Sequence, residues 1–247
     1  GKNRFRQIEQ WFRMGQAKDL EQFKEAMRIH AIAMFNTGYA DKDGNLFYVY
    51  NALMPERVAG YDWSGTVTGN TSSNLWSTYL QFDKLPQVEN PKSGFIQNCN
   101  SSPFRTTTGD DNPDELDYSE DFGIEKKMTN RALRAVELYG SDTSITLDEF
   151  MKYKYDKTYS PKSQLLQQVN VFLKHHTDTE GTLQDGLELL RMWDGTFNTD
   201  NRSAALVMLT FRPRSNTEKK TYDHRQVNRQ LKESMEHLKE HFGRIDV

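Results

Sequence analysis

The spacing of apolar residues changes period several times along the chain. Residues 16–30 (QAKDLEQFKEAMRIH) set Leu20, Phe23, Met27 and Ile29 at helical intervals, and Asp19 stands at the start, where a carboxylate complements the positive end of a helix dipole. That pattern predicts a helix. Ala31–Ala40 and Leu46–Ala52 are instead rich in small, β-branched and aromatic residues, and Asp41-Lys-Asp-Gly-Asn45 separates them. Asp43-Gly44 tolerates the positive φ angles of a tight turn, so the two runs read as a β-hairpin. From Pro55 to Pro91 no period is sustained, yet four large rings (Tyr61, Trp63, Trp76, Tyr79) punctuate the polar stretch, as in ordered functional loops. Gly94–Asn98 reads as a short buried strand, and Arg105–Asp121 as a second polar loop.

Beyond this the pattern is helical. Met128–Tyr139 predicts a helix through Ala132, Ala135, Val136 and Leu138, with Gly140 as its C-terminal cap. Thr146-Leu-Asp-Glu149 has the spacing of a capping box, in which the Thr and Glu side chains satisfy free amides at a helix start. Further helical runs extend over about 161–175, 182–193, 201–211 and 222–242. The organisation expected is α+β: a strand-containing segment, 1–127, with long loops, and a mainly helical segment, 128–247. No internal repeat is visible.

Composition narrows the function classes. Lys and Arg number 32 against 35 Asp and Glu, a net charge of −3, which supplies no overall attraction to nucleic acid or to an anionic membrane. No stretch approaches the roughly 18 consecutive apolar residues of a membrane span, and residues 1–30 lack the apolar run of a secretion signal. One Cys and six His exclude a disulfide framework within the chain and a thiolate zinc site. Counted with glycine and without tyrosine, roughly 38 % of the chain is apolar, against about 45–50 % for ordinary domains, so the chain is lean in core. Its 12 % aromatic content argues against disorder.

Several residues offer chemistry. His175-His176 point about 100° apart on a helix and read as a solvated helix end. His237 and His241 have the i, i+4 spacing of a zinc pair, but no HExxH order accompanies them and their surroundings are an ordinary charged face. The acidic run Asp110, Asp111, Asp114, Glu115, Asp117, Glu120, Asp121 could hold calcium, with Asp117 to Asp121 the candidate element, although it lacks EF-hand spacing and acidic loops are usually only solvated. Cys99 reads as a small core residue. Phe95-Ile-Gln-Asn-Cys-Asn-Ser-Ser-Pro103 brings a strand into four short polar side chains, where an Asn amide could donate to a developing oxyanion. On the residues alone, turn capping by Asn98 and Asn100 is the simpler reading.

The order of several blocks changes that balance. Tyr39–Val49, Pro55-Glu-Arg57, Gly60-Tyr-Asp-Trp63, Leu80–Gly94, Gln97-Asn-Cys-Asn-Ser-Ser-Pro103, Thr129-Asn-Arg-Ala-Leu-Arg134 and Leu190-Arg-Met-Trp-Asp-Gly195 together resemble the penicillin acylase family of N-terminal nucleophile hydrolases. The acyl-homoserine lactone and aculeacin-type acylases are included in that family. The likeness covers most of residues 28–210 and falls in the middle of the family's β-subunit. It implies a portion of the αββα N-terminal nucleophile fold with a largely helical second half. It also implies an amide-bond hydrolase that removes acyl groups from β-lactams, acyl-homoserine lactones or lipopeptides. In the family a Ser at the β-subunit N-terminus attacks the amide, with its own α-amino group as base.

By the same resemblance, Asn100 falls on the oxyanion-hole Asn and Arg131 on the active-site Arg, while Asn98, Cys99 and Trp63 belong to the substrate pocket. Cys99 departs from a position that is often aromatic in the family. Residue 1 is Gly and not the nucleophilic Ser, and the chain stops at Arg244-Ile-Asp-Val247, where family β-subunits continue. The expectation is an internal fragment, inactive alone, whose partners are a small acyl-amide substrate, the α-subunit and the rest of the β-subunit. Nucleic acid is not expected among them. No cofactor is implied beyond the calcium that the acidic loop could hold, and a periplasmic or secreted location follows from the family. A reading from a different class is a non-catalytic interaction module that keeps the acylase scaffold.

Overall fold

A computed structural model describes residues 4–176, 181–211 and 223–247. Gly1 and Tyr222, named above as a chain start and a helix start, lie outside these residues. The chain divides into two compact units, Gly1–Ser144 and Ile145–Val247.

The first unit opens with two helices, α1 (Gln7–Gln16) and α2 (Leu20–Met27). α2 begins where expected because the Asp19 carboxylate accepts the Gln22 N–H at 2.8 Å. Its apolar stripe of Leu20, Phe23 and Met27 is buried. α1 carries apolar residues at helical spacing, but the residue it buries is a glutamine: Gln10, fully enclosed, accepts the Ala31 and Ile32 N–H groups at 2.7 and 3.0 Å through one side-chain oxygen. Those two bonds tie α1 to the segment that leads into the sheet.

The hairpin forms as read, with β1 (Met34–Ala40) antiparallel to β2 (Leu46–Ala52). Asp41 organises the connection by accepting from the Asp43 N–H, the Asn45 N–H and the Asn45 amide, while Gly44 supplies φ +88°. A third strand, β3 (Gln87–Glu89), pairs with β2 in the order β1-β2-β3. Three residues are too few to show a period. Phe47 and Val49 of β2 pack with Phe23, Met27, Phe82 and Leu85 in the core of this unit.

Gly94–Asn98 is not a strand. Gly94 takes φ +72°, and Gln97 pairs locally instead, its N–H to Thr106 O at 2.8 Å and its side-chain amide to Arg105 O at 2.7 Å. The next helix, α3 (Asn130–Gly140), is capped by the Thr129 hydroxyl, which accepts the Ala132 N–H at 3.2 Å. Gly140 ends that helix without a left-handed φ, so it is not the expected cap. Its reason is proximity: a Cβ there would stand 2.7 Å from Thr108 Cγ2.

The second unit is helical, comprising α4 (Leu147–Lys154), α5 (Gln164–His175), α6 (Gln184–Met192), α7 (Ala204–Phe211) and α8 (His224–Phe242). The Thr146–Glu149 capping box opens α4. Gly243 closes α8 in the left-handed conformation. Phe172, Leu187, Leu190, Leu206 and Leu231 form its core. α6 and α8 approach closely at Gly186, where a Cβ would lie 3.2 Å from Leu231 Cδ1. His176 departs from the solvated reading: its ring packs on Phe172 with centroids 5.0 Å apart, and both ring nitrogens are shielded from solvent. His237 and His241 stack at 4.3 Å, and His241 Nδ1 is hydrogen-bonded to the His237 carbonyl, as suits a helix face and not a chelate.

Candidate active site

Asn98–Ser101 makes a tight polar turn in front of Pro103, in the first unit. Asn98 holds it together: its Oδ1 accepts the Asn100 N–H at 3.1 Å and its Nδ2 donates to Ser101 O at 3.3 Å. That is the turn capping expected of an Asn. Asn100 itself does something else. It adopts φ +56°, a left-handed conformation that Asn tolerates better than most residues, and its side chain reaches away from the turn.

The start of α3 delivers the other half. Thr129 both caps that helix and donates through its hydroxyl to Cys99 O at 3.1 Å. Two positions on, Arg131 Nη2 donates to Cys99 O at 3.2 Å and to Asn100 Oδ1 at 2.9 Å. Residues 31 apart in sequence are thus joined. Among the described residues no carboxylate pairs with Arg131, so its charge is directed at these two oxygens. The guanidinium also sets the rotation of the Asn100 amide, because only the oxygen can accept from it. The Asn100 Nδ2 donors take no part in this contact. Asn100 and Arg131 are both exposed, while Asn98 and Cys99 are half-buried.

Cys99 contributes its carbonyl to this arrangement. Burial pushes its thiol above the ordinary value, against the opposing pull of Arg131, so the sulfur is a neutral S–H near neutral pH and a poor nucleophile. Tyr139 is raised too, by burial and by the neighbouring Cys99. Beneath the turn sits Tyr48, only 1 % exposed, whose hydroxyl meets Asn98 Nδ2 at 3.4 Å and Asn36 Oδ1 at 2.6 Å. Burial holds its phenol far above the usual range, so it stays protonated.

Trp63 is held within its own loop. Its indole N–H donates to Val58 O at 3.0 Å and its ring lies against Tyr61 and Trp76, with centroids 5.7 and 6.4 Å away. The Arg57 guanidinium stacks on both tryptophans and donates to the Asp121 carbonyl, which links the long loop to the acidic one. In that acidic loop Lys126 pairs with Glu115 at 2.8 Å and Glu120 at 3.3 Å, and Asp114 caps a short turn. Among the described residues no three His, Cys, Asp or Glu side chains gather as a metal site.

Two contributors were not singled out from sequence, Thr129 and Tyr48. A Thr just ahead of the helical run of α3 is a signal that could have marked the first. Nothing in the alternation of β2 marks the second, whose partners come from β1 and from the turn.

Comparison with known proteins supplies the remaining context. A family model described as penicillin amidase matches residues 2–242. Penicillin G acylase of Escherichia coli is 36 % identical over 93 residues, which is 38 % of this chain and 11 % of that protein. A solved structure of a thermostable penicillin G acylase from Alcaligenes faecalis matches at a TM-score of 0.60 and 16 % identity, covering 96 % of this chain and 52 % of that one. At that identity the likeness speaks for the fold. The chain therefore spans about half the length of the structural relative and a smaller share of the curated one.

Proposed function

The chain belongs to the penicillin amidase family, and from that premise we propose that it forms part of an N-acyl amide hydrolase in which Asn100 donates to the oxyanion and Arg131 orients it. One observation carries this reading: Arg131 occupies the Asn100 oxygen at 2.9 Å and leaves the amide N–H groups free to donate. Attack on an amide carbonyl places a negative charge on the carbonyl oxygen. A donor already fixed toward that charge stabilises the transition state without reorganising. The positive charge of Arg131 polarises the Asn100 amide and makes its N–H groups better donors.

The attacking group is a Ser at the N-terminus of the family's β-subunit, activated by its own amine, and it is supplied by polypeptide outside residues 1–247. In the same reading the β1-β2-β3 sheet is a portion of the αββα core, completed by the remaining acylase segments. The substrate is a small acyl amide of the β-lactam, acyl-homoserine lactone or lipopeptide type. The likeness to a protein named penicillin G acylase supports the first of these. Cys99 and Asn98 border the reacting carbonyl, and the Trp63–Trp76 loop reaches the acyl or amine group from farther out.

The test is steady-state hydrolysis of a series of N-acyl p-nitroanilides, from acetyl to dodecanoyl and including phenylacetyl, by the mature acylase that carries these residues. Asn100→Ala lowers kcat/KM by roughly 10²–10³ if it is the donor. A loss of about twofold or less removes Asn100 from the mechanism. An intact protein that binds these amides without turning them over would instead be the interaction module.

A further inference from the structure

We infer that Tyr48 is a positioning residue for Asn100, acting through the side chain of Asn98; the inference rests on the oxyanion reading of Asn100. Four groups stand in a line whose donor and acceptor ends are mutually consistent. The Tyr48 hydroxyl donates its one hydrogen to Asn36 Oδ1 at 2.6 Å. Only its lone pairs then face Asn98, so Asn98 presents Nδ2 to the phenol, at 3.4 Å, and the same nitrogen donates to Ser101 O at 3.3 Å. With the NH₂ committed to that side, Asn98 Oδ1 faces the turn and accepts the Asn100 N–H at 3.1 Å.

An inverted Asn98 amide would set NH₂ against the Asn100 N–H and oxygen against the Ser101 carbonyl, both repulsive. The Tyr48 hydroxyl therefore favours one of the two amide orientations, and that orientation supports the φ of +56° at Asn100. Arg131 holds the Asn100 side chain and the Tyr48–Asn98 pair holds its backbone. A phenol in the middle of β2, 1 % exposed, gives this hold a rigid base. An oxyanion donor acts only within a narrow range of distance, so loosening its backbone lowers the rate of the chemical step more than the affinity for substrate.

The experiment measures kcat and KM on the p-nitroanilide series for Tyr48→Phe, Asn100→Ala and the double variant, in the mature acylase that carries these residues. Tyr48→Phe is expected to lower kcat about tenfold with KM within about twofold, as for an interaction used only in the transition state. In the Asn100→Ala background the same change is expected to add almost nothing, because the two residues act as one unit. A purely structural role of the hydroxyl would lower both backgrounds alike, and that result overturns the proposal. So does a Tyr48→Phe kcat within about twofold of the parent when Asn100→Ala has lost about 10²-fold or more, an outcome that leaves the oxyanion reading intact. An Asn100→Ala variant that keeps its kcat overturns that reading itself.

Asn36→Leu, at an exposed position on β1, covers the case in which Tyr48→Phe does not fold. It removes the acceptor and frees the phenol hydrogen to turn toward Asn98 or toward the Thr106 hydroxyl, which also meets the phenol, so kcat is expected to fall several-fold. Asn36→Asp, which keeps an acceptor, falls less. Equal rates for the two variants overturn the proposal.

Discussion

Arg131 meets two oxygens, the Cys99 carbonyl and Asn100 Oδ1, through one nitrogen of a planar guanidinium whose N–H directions are fixed, whereas the ammonium of a lysine rotates freely on a flexible stem. Arg131→Leu is expected to lower kcat/KM on an acyl amide by roughly 10- to 100-fold, because Asn100 is left able to turn its oxygen toward the developing charge. Arg131→Lys restores the charge but not the geometry and recovers only part of that loss, which steady-state kinetics of the three proteins will show. At this scale the sequence was legible unevenly. Turn capping by Asn98 follows from the residue type and is what the structure shows. The Asn100–Arg131 pairing spans 31 residues and depends on α3 docking against the turn, so no local pattern announces it, and family resemblance alone brought the two residues together beforehand. Tyr48 could not be read at all, since a phenol among strand residues looks like any other β-forming ring until its neighbours on β1 and the turn are known.

The elements that periodicity controls were readable and those that proximity controls were not. α2, the hairpin and the helices of the second unit follow from spacing and caps, whereas the buried glutamine that fixes α1 in place and the three-residue β3 follow from no such pattern. Gly140 shows the distinction well. Its position after an apolar run suggested a left-handed cap, but the close approach of Thr108 is the reason for it. Gly140→Ala would ordinarily strengthen a helix by up to about 1 kcal/mol. Here the new methyl meets Thr108 Cγ2 at 2.7 Å, a β-branched side chain with little freedom to move aside. Overpacking is expected to win and to destabilise the first unit by about 1–3 kcal/mol in urea unfolding. Thr108→Ser, which deletes that methyl, should restore most of the loss in the double variant. Gly186→Ala is the contrasting case, because the nearest atom to its added Cβ is the flexible Met235 thioether, and it should cost less than Gly140→Ala.

For the chain as a whole, the lean apolar share foreseen from composition coexists with two well-formed cores. Part of its limited apolar material is spent on the surface. Phe5, Ile8 and Phe12 lie at i, i+3 and i+7 along the first helical turns and α1, and are 81, 81 and 67 % exposed. Trp11 meets the exposed Phe35 of β1 edge to face at 6.0 Å, which extends the stripe toward Met34. Exposed apolar side chains grouped in this way mark an interaction surface. Residues 1–247 produced alone are expected to bind a hydrophobic dye at this stripe, and Ile8→Glu with Phe12→Glu should remove most of that fluorescence while leaving the circular dichroism of the helices in place. Dye binding unaltered by those changes would place the exposed apolar surface elsewhere. The same stripe alters what a melting curve of the isolated chain means. Where copies meet through α1, unfolding ceases to be a unimolecular event, and the midpoint rises with protein concentration as mass action requires. A stability quoted for this polypeptide at one concentration then holds for that dilution alone, and only a dilution series gives the free energy of the single folded chain.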